Sequence, residues 1–370
     1  MHQQNKKAPK LIKELFFLRA IACLSVVLIH TISYTYRSYP FHATQISYLK
    51  NIQMLFMYAT PSFICISLII LSHSYKRRKP RYFWRKRWKY LLMPYFCIGL
   101  LYALLFQNDA LPFTDFVIKL LKIYFLGEWV GYFVIVIIQF YALYFLLDKY
   151  LQRIQPIWVL SASFVINFMY LYHINFQPQH PFLQSISFYK YTYLFFFSWI
   201  FYFFVGYYIG RHLERFTQLI NRYSAFIFIG IILNYLLICY LTNEKIITTI
   251  SSKRVDILFY TCFVLFGLYY IGSKIKKIPT ILFLISQSSY GIYLLHDIVL
   301  KHIGNNLFSL FSIPFPIYIL LQFLTGVFVP MGIVYLFNKW NKGAFLVGKI
   351  NLAKFQSQQE IKTSWILSKK

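Results

Sequence analysis

Residues 15–35 read LFFLRAIACLSVVLIHTISYT, and this stretch decides the fold. Arg19 and His30 are the two side chains within it that can carry charge near neutral pH. A helix rises about 1.5 Å per residue, so about 20 mostly apolar residues cross the hydrocarbon core of a bilayer. The stretch is therefore predicted to be a transmembrane helix.

The same apolar pattern recurs along the 370 residues of the chain. Apolar types make up 59% of the residues and charged types 13%, whereas an average soluble protein contains about 25% charged residues. This composition excludes a disordered chain, a disulfide scaffold and an ordinary soluble enzyme. The apolar runs do not alternate, which argues against barrel strands. We predict an all-α, polytopic membrane bundle of about ten transmembrane helices. The predicted spans are roughly 15–35, 52–72, 90–107, 129–147, 157–173, 191–210, 223–241, 256–273, 280–300 and 315–337.

The chain is strongly basic, with 38 Lys and Arg against 10 Asp and Glu and a formal net charge of +28. Such a charge can indicate nucleic-acid binding. Here the basic runs fall between apolar segments, so we interpret them through the positive-inside rule and expect no nucleic-acid partner. With the N-terminus inside, 28 basic residues fall on the cytoplasmic side and 9 outside, while Arg19 lies within the first span. An even number of spans then places both termini in the cytoplasm.

The chain is predicted to form one membrane domain with two short tails. Residues 1–14 are a cytoplasmic N-terminal tail, residues 15–340 the transmembrane domain and residues 341–370 a basic cytoplasmic C-terminal tail. The stretch 114–126 is apolar but short for a span, and it is predicted to be an interfacial helix on the outer side. The five cysteines lie in apolar runs without metal-ligand spacing, so we predict no metal site. No HExxH, Walker A or GxGxxG motif stands in a suitable context, so we predict no bound cofactor.

The first span carries a candidate catalytic pair, because ionisable groups inside a bilayer are costly. Arg19 and His30 are 11 residues apart, which puts both on one helix face and separates them by roughly 16 Å along the axis. Arg19 would hold an anion near the cytoplasmic entrance, and His30 would act as a general base on a hydroxyl. The alternative is that Arg19 snorkels inward and His30 is a satisfied polar residue.

Three further segments carry candidate site residues. The ninth span contains SSYGIYLLHD (288–297), and its direction brings His296 to the depth of His30; the alternative is a polar helix end. The loop KRRKPRYFWRKRWK (76–89) holds nine cations, which suit lipid headgroups or the phosphates of a nucleotide-like donor, or only set the orientation. The segment LGEWVGYF (126–133) shapes a site or belongs to an interfacial aromatic belt.

These segments together resemble the acyltransferase 3 family of integral-membrane O-acyltransferases. Arg19 and His30 match that family's Arg-x10-His signature. The loop that ends in YLLMPY (90–95) is similar to the family's basic segment before the third span, and SYGIYLLH (289–296) to its late Ser-Tyr-x-x-Tyr-Leu-x-His segment. The resemblance covers almost the whole chain and implies about ten spans.

Within the family, two segments resemble the intercellular adhesion protein C-like subgroup, which is assigned to export or O-succinylation of poly-N-acetylglucosamine. These segments are LGEWVGYF (126–133) and WIFYFFVG (199–206). The family's Arg-x-x-Arg pair does not occur at its usual place in this sequence. Arg87-x-Lys89 occupies that place, while Arg78-x-x-Arg81 has the right spacing but lies earlier.

The resemblance implies acyl-CoA as the donor substrate and His30 with Arg19 as the catalytic pair. The implied donor-binding residues are Arg19, Arg78, Arg81, Arg85, Arg87 and Lys89. The implied acceptor or site-shaping residues are Trp129, Tyr290, Tyr293 and His296, in the outer part of the site.

The leading hypothesis is an O-acyltransferase of the bacterial plasma membrane. It would move an acetyl or succinyl group from cytoplasmic acyl-CoA to a hydroxyl of a cell-surface polysaccharide such as poly-N-acetylglucosamine, in contact with the lipid bilayer and with polysaccharide synthase proteins. The alternative is a polysaccharide export protein in biofilm exopolysaccharide synthesis, whose many aromatic rings would stack on sugars. A third hypothesis is a lipid-dependent scaffold without chemistry, in which Arg19 and His30 tolerate substitution.

Overall fold

The computed structural model describes residues 12–38, 41–75, 81–106, 112–176, 189–305 and 313–350. Arg78 lies outside these residues, and so do most of the two predicted tails. In the described part the chain is helical with connecting turns and has no strand, as the unbroken apolar runs predict.

Fifteen α-helices follow one another along the described chain. They are α1 (Lys13–Ser38), α2 (Ala43–Leu55), α3 (Ala59–Ser74), α4 (Phe83–Arg87), α5 (Met93–Leu105), α6 (Phe113–Phe125), α7 (Phe133–Leu151), α8 (Pro156–Phe176), α9 (Ile200–Arg211), α10 (Leu213–Arg222), α11 (Ser224–Asn243), α12 (Ile257–Lys274), α13 (Thr280–Val299), α14 (Phe315–Asn338) and α15 (Ala344–Val347). A π-helical turn, Trp88–Leu92, joins α4 to α5, and a second one, Leu300–Asn305, continues α13.

Eight helical stretches of the described chain are long and apolar enough to cross a bilayer. They are Lys13–Arg37, Thr44–Ser74, Phe83–Leu105, Val130–Leu151, Pro156–Phe176, Ser224–Asn243, Ile257–Lys274 and Phe315–Asn338. Each overlaps one of the ten spans predicted from the sequence. These features make the chain a multi-pass membrane protein.

The remaining two predicted spans correspond to the interior helices α9 and α13. Every residue from Ile200 to Gly210 is buried, and α13 packs against α1 and α14 with most of its side chains enclosed. An interior helix is shielded from lipid by its neighbours, so it can be short or carry polar residues. The predicted sixth span, 191–210, begins irregularly, because residues Tyr189–Leu194 and Phe196–Ser198 form 3₁₀ turns before α9.

Helix α9 approaches α3 closely through two glycines spaced four residues apart. A Cβ atom on Gly206 would lie 2.7 Å from the Cys65 carbonyl oxygen, and one on Gly210 would lie 2.5 Å from the Ile69 carbonyl oxygen. Small residues at this spacing let membrane helices pack backbone against backbone. The pair α3 and α9 therefore forms a rigid wall beside α1.

Helices α1, α3, α12 and α14 meet at what we call the basic end of the bundle, where α1 begins and the others finish. The Lys13 ammonium group donates hydrogen bonds to the carbonyl oxygens of Ser273 (3.2 Å) and Ile275 (2.9 Å) at the end of α12. The described basic residues of this end include Arg81, Arg85, Lys276, Lys277 and Lys339.

The predicted interfacial stretch forms helix α6, which has 13 residues and is too short to span. Phe113 (80% exposed) and Phe125 (65% exposed) lie on its open face. On the other face Lys119 Nζ donates to the carbonyl oxygens of Ala103 (3.3 Å) and Phe106 (2.6 Å), which the end of α5 leaves unpaired. Its place at the outer membrane interface stays a prediction.

Candidate active site

Helix α1 positions both polar residues that the sequence singles out. Arg19 lines a cavity whose opposite wall is α13, and His30 lies beside His296 and Asp297, also on α13. Both side chains therefore face the same neighbouring helix, as the 11-residue spacing predicts. Helices α1 and α13 therefore contribute residues to both parts of the candidate site.

The Arg19 cavity has a volume of about 450 Å³ and lies between α1, α3, α7 and α13. Its walls are largely aromatic and aliphatic. The charged residues that line it are Arg19, Arg87 and Lys349, and no described acidic residue does so. The cavity is therefore a cationic compartment inside a membrane protein, and it suits an anionic ligand with an apolar portion.

Neither of the two arginines that line the cavity is neutralised by an acidic side chain of the described chain. The Arg87 guanidinium carbon lies 4.8 Å from the ring centres of both Phe83 and Tyr141, and its buried Nε has no hydrogen-bond partner among the described residues. Stacking on two rings fixes the guanidinium plane while leaving its N–H groups free to donate.

The other predicted donor-binding residues of the described chain do not line the cavity. Arg81 and Arg85 are exposed at the basic end. Lys89 Nζ lies 5.6 Å from the centre of the Phe345 ring. Arg78 lies outside the described residues. The structure therefore brings Arg87 together with Arg19. It also adds Lys349 to the cavity lining, a residue that the sequence does not single out because it lies in the tail after the last span.

His30 and His296 form a close pair at the other end of the site. Their ring centres are 4.9 Å apart with an edge-on angle of 65°. His296 is fully buried, and its Nδ1 lies 2.7 Å from the Tyr293 carbonyl oxygen. A carbonyl oxygen can only accept, so in the neutral ring Nδ1 carries the proton and Nε2 is a free base. That Nε2 is buried and has no partner among the described residues.

Asp297 adds a negative charge to this pair. One of its carboxylate oxygens lies 3.9 Å from His30 Nδ1 and accepts a hydrogen bond of 2.8 Å from the Tyr34 hydroxyl. The Asp297 side chain is 8% exposed and that of His30 is 33% exposed, so His30 is the more open of the two. Sequence reasoning did not select Asp297, although an acid within a span is a signal for function.

Tyr293 separates the cavity from the histidine pair. It lines the cavity, and its ring centre lies 6.2 Å from that of His296. Its hydroxyl donates to the Val130 carbonyl oxygen and accepts from the Phe133 amide at 3.3 Å. The two halves of the site are therefore one aromatic side chain apart.

Tyr290 lies nearer the basic end than its predicted place in the outer part of the site. Its hydroxyl donates to the Leu91 carbonyl oxygen at 2.5 Å, and its ring lines the Arg19 cavity. The sequence predicts that Tyr290 lies with His296 in the outer part of the site, but six residues on a helix separate the two along the axis by roughly 9 Å.

Trp129 is packed in the interior and does not line the cavity. It is 5% exposed, and its ring centre lies 5.4 Å from that of Tyr95 and 5.7 Å from that of Tyr102. A Cβ atom on Gly131 would lie 2.1 Å from the indole, so a side chain there would displace it. Its predicted role as an acceptor or site-shaping residue stays a prediction.

Aromatic residues and a lysine gather at the end opposite the basic end. Tyr191 donates to Glu128 Oε1 at 2.6 Å, and Tyr193 donates to the Gly127 carbonyl oxygen at 3.2 Å. Lys253 Nζ, in the loop between α11 and α12, lies 4.0 Å from the centre of the Tyr193 ring. Burial of this ammonium group lowers the pKa of Lys253 to about 8.

A larger cavity, of about 720 Å³, lies at the basic end apart from these residues. Its lining includes Lys13 and Arg215 but also Glu14 and Glu214, so its charges are mixed. None of its lining residues belongs to α13, which carries the histidine pair. The smaller Arg19 cavity is therefore the better candidate for the site.

The candidate site thus consists of a cavity lined by cations and a histidine pair, both inside a bundle of apolar helices. The chain belongs to the acyltransferase 3 family. The model of this family, an acyltransferase domain, matches residues 12–337. The chain is accordingly a multi-pass bacterial membrane acyltransferase.

Two groups of curated relatives match nearly the full chain. A protein of Bacillus subtilis (strain 168), named as a membrane-bound acyltransferase, is 35% identical over 343 residues, which cover 92% of this chain and 95% of the relative. A probable poly-beta-1,6-N-acetyl-D-glucosamine export protein of Staphylococcus aureus (strain MRSA252) is 28% identical over 352 residues, covering 91% and 95%. The protein of the same name from Staphylococcus epidermidis is 27% identical over 353 residues, covering 91% and 94%. No solved structure matches the chain.

Proposed function

We propose that the protein transfers an acetyl or succinyl group from cytoplasmic acyl-CoA to a hydroxyl of a cell-surface polysaccharide such as poly-N-acetylglucosamine. One arrangement carries this proposal: the unpaired Arg19 cavity and the His30–His296 pair lie on the same two helices and are separated by Tyr293. The cationic cavity suits the phosphates and thioester arm of the donor, and the histidine pair suits proton removal from a hydroxyl. The names of the relatives support the polysaccharide as acceptor.

The proposed topology has ten spans, with both termini in the cytoplasm. The eight long apolar stretches and the interior helices α9 and α13 make up the ten. The basic end faces the cytoplasm, because positively charged segments stay on that side. Acyl-CoA then enters the Arg19 cavity from the cytoplasm, while the histidine pair and Tyr193 lie toward the outside.

In the proposed reaction His30 removes the proton from the sugar hydroxyl. The hydroxyl oxygen attacks the thioester carbonyl carbon, the carbon–sulfur bond breaks, and coenzyme A leaves and takes up a proton. Asp297, 3.9 Å from His30 Nδ1, stabilises the positive charge that His30 acquires. His296 Nε2 offers a second proton acceptor beside it. Arg19 and Arg87 hold the donor by its anionic groups.

The test compares polysaccharide from wild-type cells, a deletion strain, and deletion strains that express His30→Ala or, as a control, the exposed His42→Ala. NMR measures ester-linked acyl groups and total polymer. We expect the ester to disappear from the deletion and His30→Ala strains, a loss of at least about 10²-fold, while polymer stays outside. His42→Ala should restore the ester. Full acylation by a normally expressed His30→Ala protein would contradict the proposal.

Polysaccharide export is the second candidate function, favoured by the names of the staphylococcal relatives and by the 22% of aromatic residues in the chain, whose rings can stack on sugars. An exporter that lacked His30 would still move polymer. External polymer that vanishes in the deletion strain and returns with His30→Ala would favour export over acyl transfer.

A further inference from the structure

The chain turns back toward the Arg19 cavity after its last long helix. The Asn338 side chain stabilises this turn of the chain. Its Nδ2 donates to the carbonyl oxygens of Val334 and Gly348, both at 2.9 Å. Its Oδ1 accepts from the Ile350 amide at 2.9 Å. We call residues 344–350 the C-terminal hook. One side chain thus joins the end of α14 to residues 348–350.

The hook packs against the site, although it falls within the predicted polar tail. Val347 is 4% exposed and Ile350 is 8% exposed. Gly348 has a φ of +92°, and a Cβ atom there would lie 2.8 Å from the Tyr290 ring. The Val347 carbonyl oxygen lies close to Gly291 of α13, because a Cβ atom on Gly291 would lie 2.7 Å from that oxygen. The hook therefore supports the cavity wall from the basic end.

The hook delivers Lys349 to the cavity. Lys349 lines it together with Arg19 and Arg87, and its Nζ lies 5.2 Å from the centre of the Tyr90 ring. Lys349 is exposed, so its ammonium group stands at the mouth of the cavity, whereas Arg19 lies within a membrane span. The hook lies beyond residues 12–337, which the family model matches.

We propose that the C-terminal hook is part of the donor site and that Lys349 binds a phosphate group of coenzyme A at the mouth of the cavity. This inference rests on the proposed function, since it assumes an acyl-CoA donor. Lysine is a common phosphate ligand and acts as a point charge that needs little geometric precision. The hook thus adds a binding residue from outside the transmembrane helices.

The test measures binding of coenzyme A and of pantetheine, which lacks the phosphates, to the full-length protein in phosphatidylcholine nanodiscs. Lys349→Ala should weaken coenzyme A binding by roughly tenfold, as expected for one charged contact, and leave pantetheine binding unchanged. Lys342→Ala, an exposed lysine before the hook, is the matched control and should bind both like wild type. Coenzyme A binding by Lys349→Ala that equals wild type would overturn the inference.

A second variant tests the hook while Lys349 is kept. Asn338→Ala removes the two hydrogen bonds that join α14 to the hook, to Gly348 and from Ile350, so it should also weaken coenzyme A binding. Adding Lys349→Ala should then cost little more. Full additivity of the two variants would contradict a shared mechanism.

An anionic lipid in the nanodisc that displaces coenzyme A from wild type but not from Lys349→Ala would assign the lysine to lipid phosphate instead. A wild-type protein that binds no coenzyme A would contradict the proposed function itself.

Discussion

The hydrogen bond of His296 decides which of its two ring nitrogens can act as a base. The Tyr293 carbonyl oxygen fixes the proton on Nδ1, so the buried Nε2 is left as a base that faces no described partner. A satisfied core histidine would use both ring nitrogens. With His30 4.9 Å away between ring centres, the two imidazoles can share one proton-transfer task.

Asp297→Asn is expected to lower acyl transfer by about 10²-fold, because the amide removes the negative charge that stabilises protonated His30. The side chain keeps its size, and its oxygen can still accept from Tyr34. The measurement is the ester content of surface polysaccharide, normalised to the amount of protein in the membrane. Tyr34→Phe, which leaves the carboxylate in place, should retain most activity. Equal activities of Asp297→Asn and wild type would remove Asp297 from the mechanism.

The sequence predicted part of the residue-scale site. The helical spacing of Arg19 and His30 was sufficient to place both toward one partner helix. Asp297 carried a readable signal, since it follows His296 inside an apolar span. Lys349 carried none, because nothing local distinguishes it from the other lysines after the last span. Which of the loop cations enters the cavity depends on the stacking of Arg87 on Phe83 and Tyr141, a tertiary contact.

At the scale of elements, the contact between α3 and α9 depends on glycine. A Cβ atom on Gly210 would lie 2.0 Å from Ser72 Oγ and 2.5 Å from the backbone oxygen of Ile69. The side-chain oxygen can rotate away, but the backbone of α3 cannot move without displacing its neighbours. The wall beside α1 therefore loses its packing when this position gains a side chain.

Gly210→Ala is expected to destabilise the protein by about 1–3 kcal/mol, the usual cost of overpacking. Gly332 in α14 offers a matched control, because nothing lies within 4 Å of the place of its Cβ. Gly332→Ala should be neutral or stabilising, since alanine favours the helix. Thermal unfolding of the detergent-solubilised variants measures both effects. A melting temperature of Gly210→Ala at or above that of wild type would contradict the close packing.

The long apolar helices were predictable because length and hydropathy set them. All eight long apolar stretches overlap predicted spans. The 3₁₀ turns before α9 were not predictable, because residues 191–199 are as apolar and aromatic as a span. Their backbone is fixed by tertiary bonds, such as Gln139 Nε2 donating to the Leu194 carbonyl oxygen at 2.7 Å.

At the scale of the whole molecule, helices α1 and α13 carry cationic groups toward one end and titratable histidines toward the other. Cations gather at the basic end around Arg19, Arg87 and Lys349, and the histidine pair with Asp297 lies at the other end. Composition and charge bias predict such a membrane protein and its orientation. They do not predict that α9 and α13 lie inside, since burial within the bundle depends on which helices pack together.

Acyl transfer across a membrane by reconstituted protein tests the central claim most directly. Proteoliposomes would present labelled acetyl-CoA or succinyl-CoA at the basic end and hold poly-N-acetylglucosamine oligosaccharides on the opposite side. Wild-type protein is expected to place label in an ester on the oligosaccharide, and Arg19→Ala and His30→Ala are expected to lose this label with normal folding. Unlabelled oligosaccharide that crosses the membrane at equal rates with wild type and His30→Ala, while no ester forms, would contradict the account and identify a transporter.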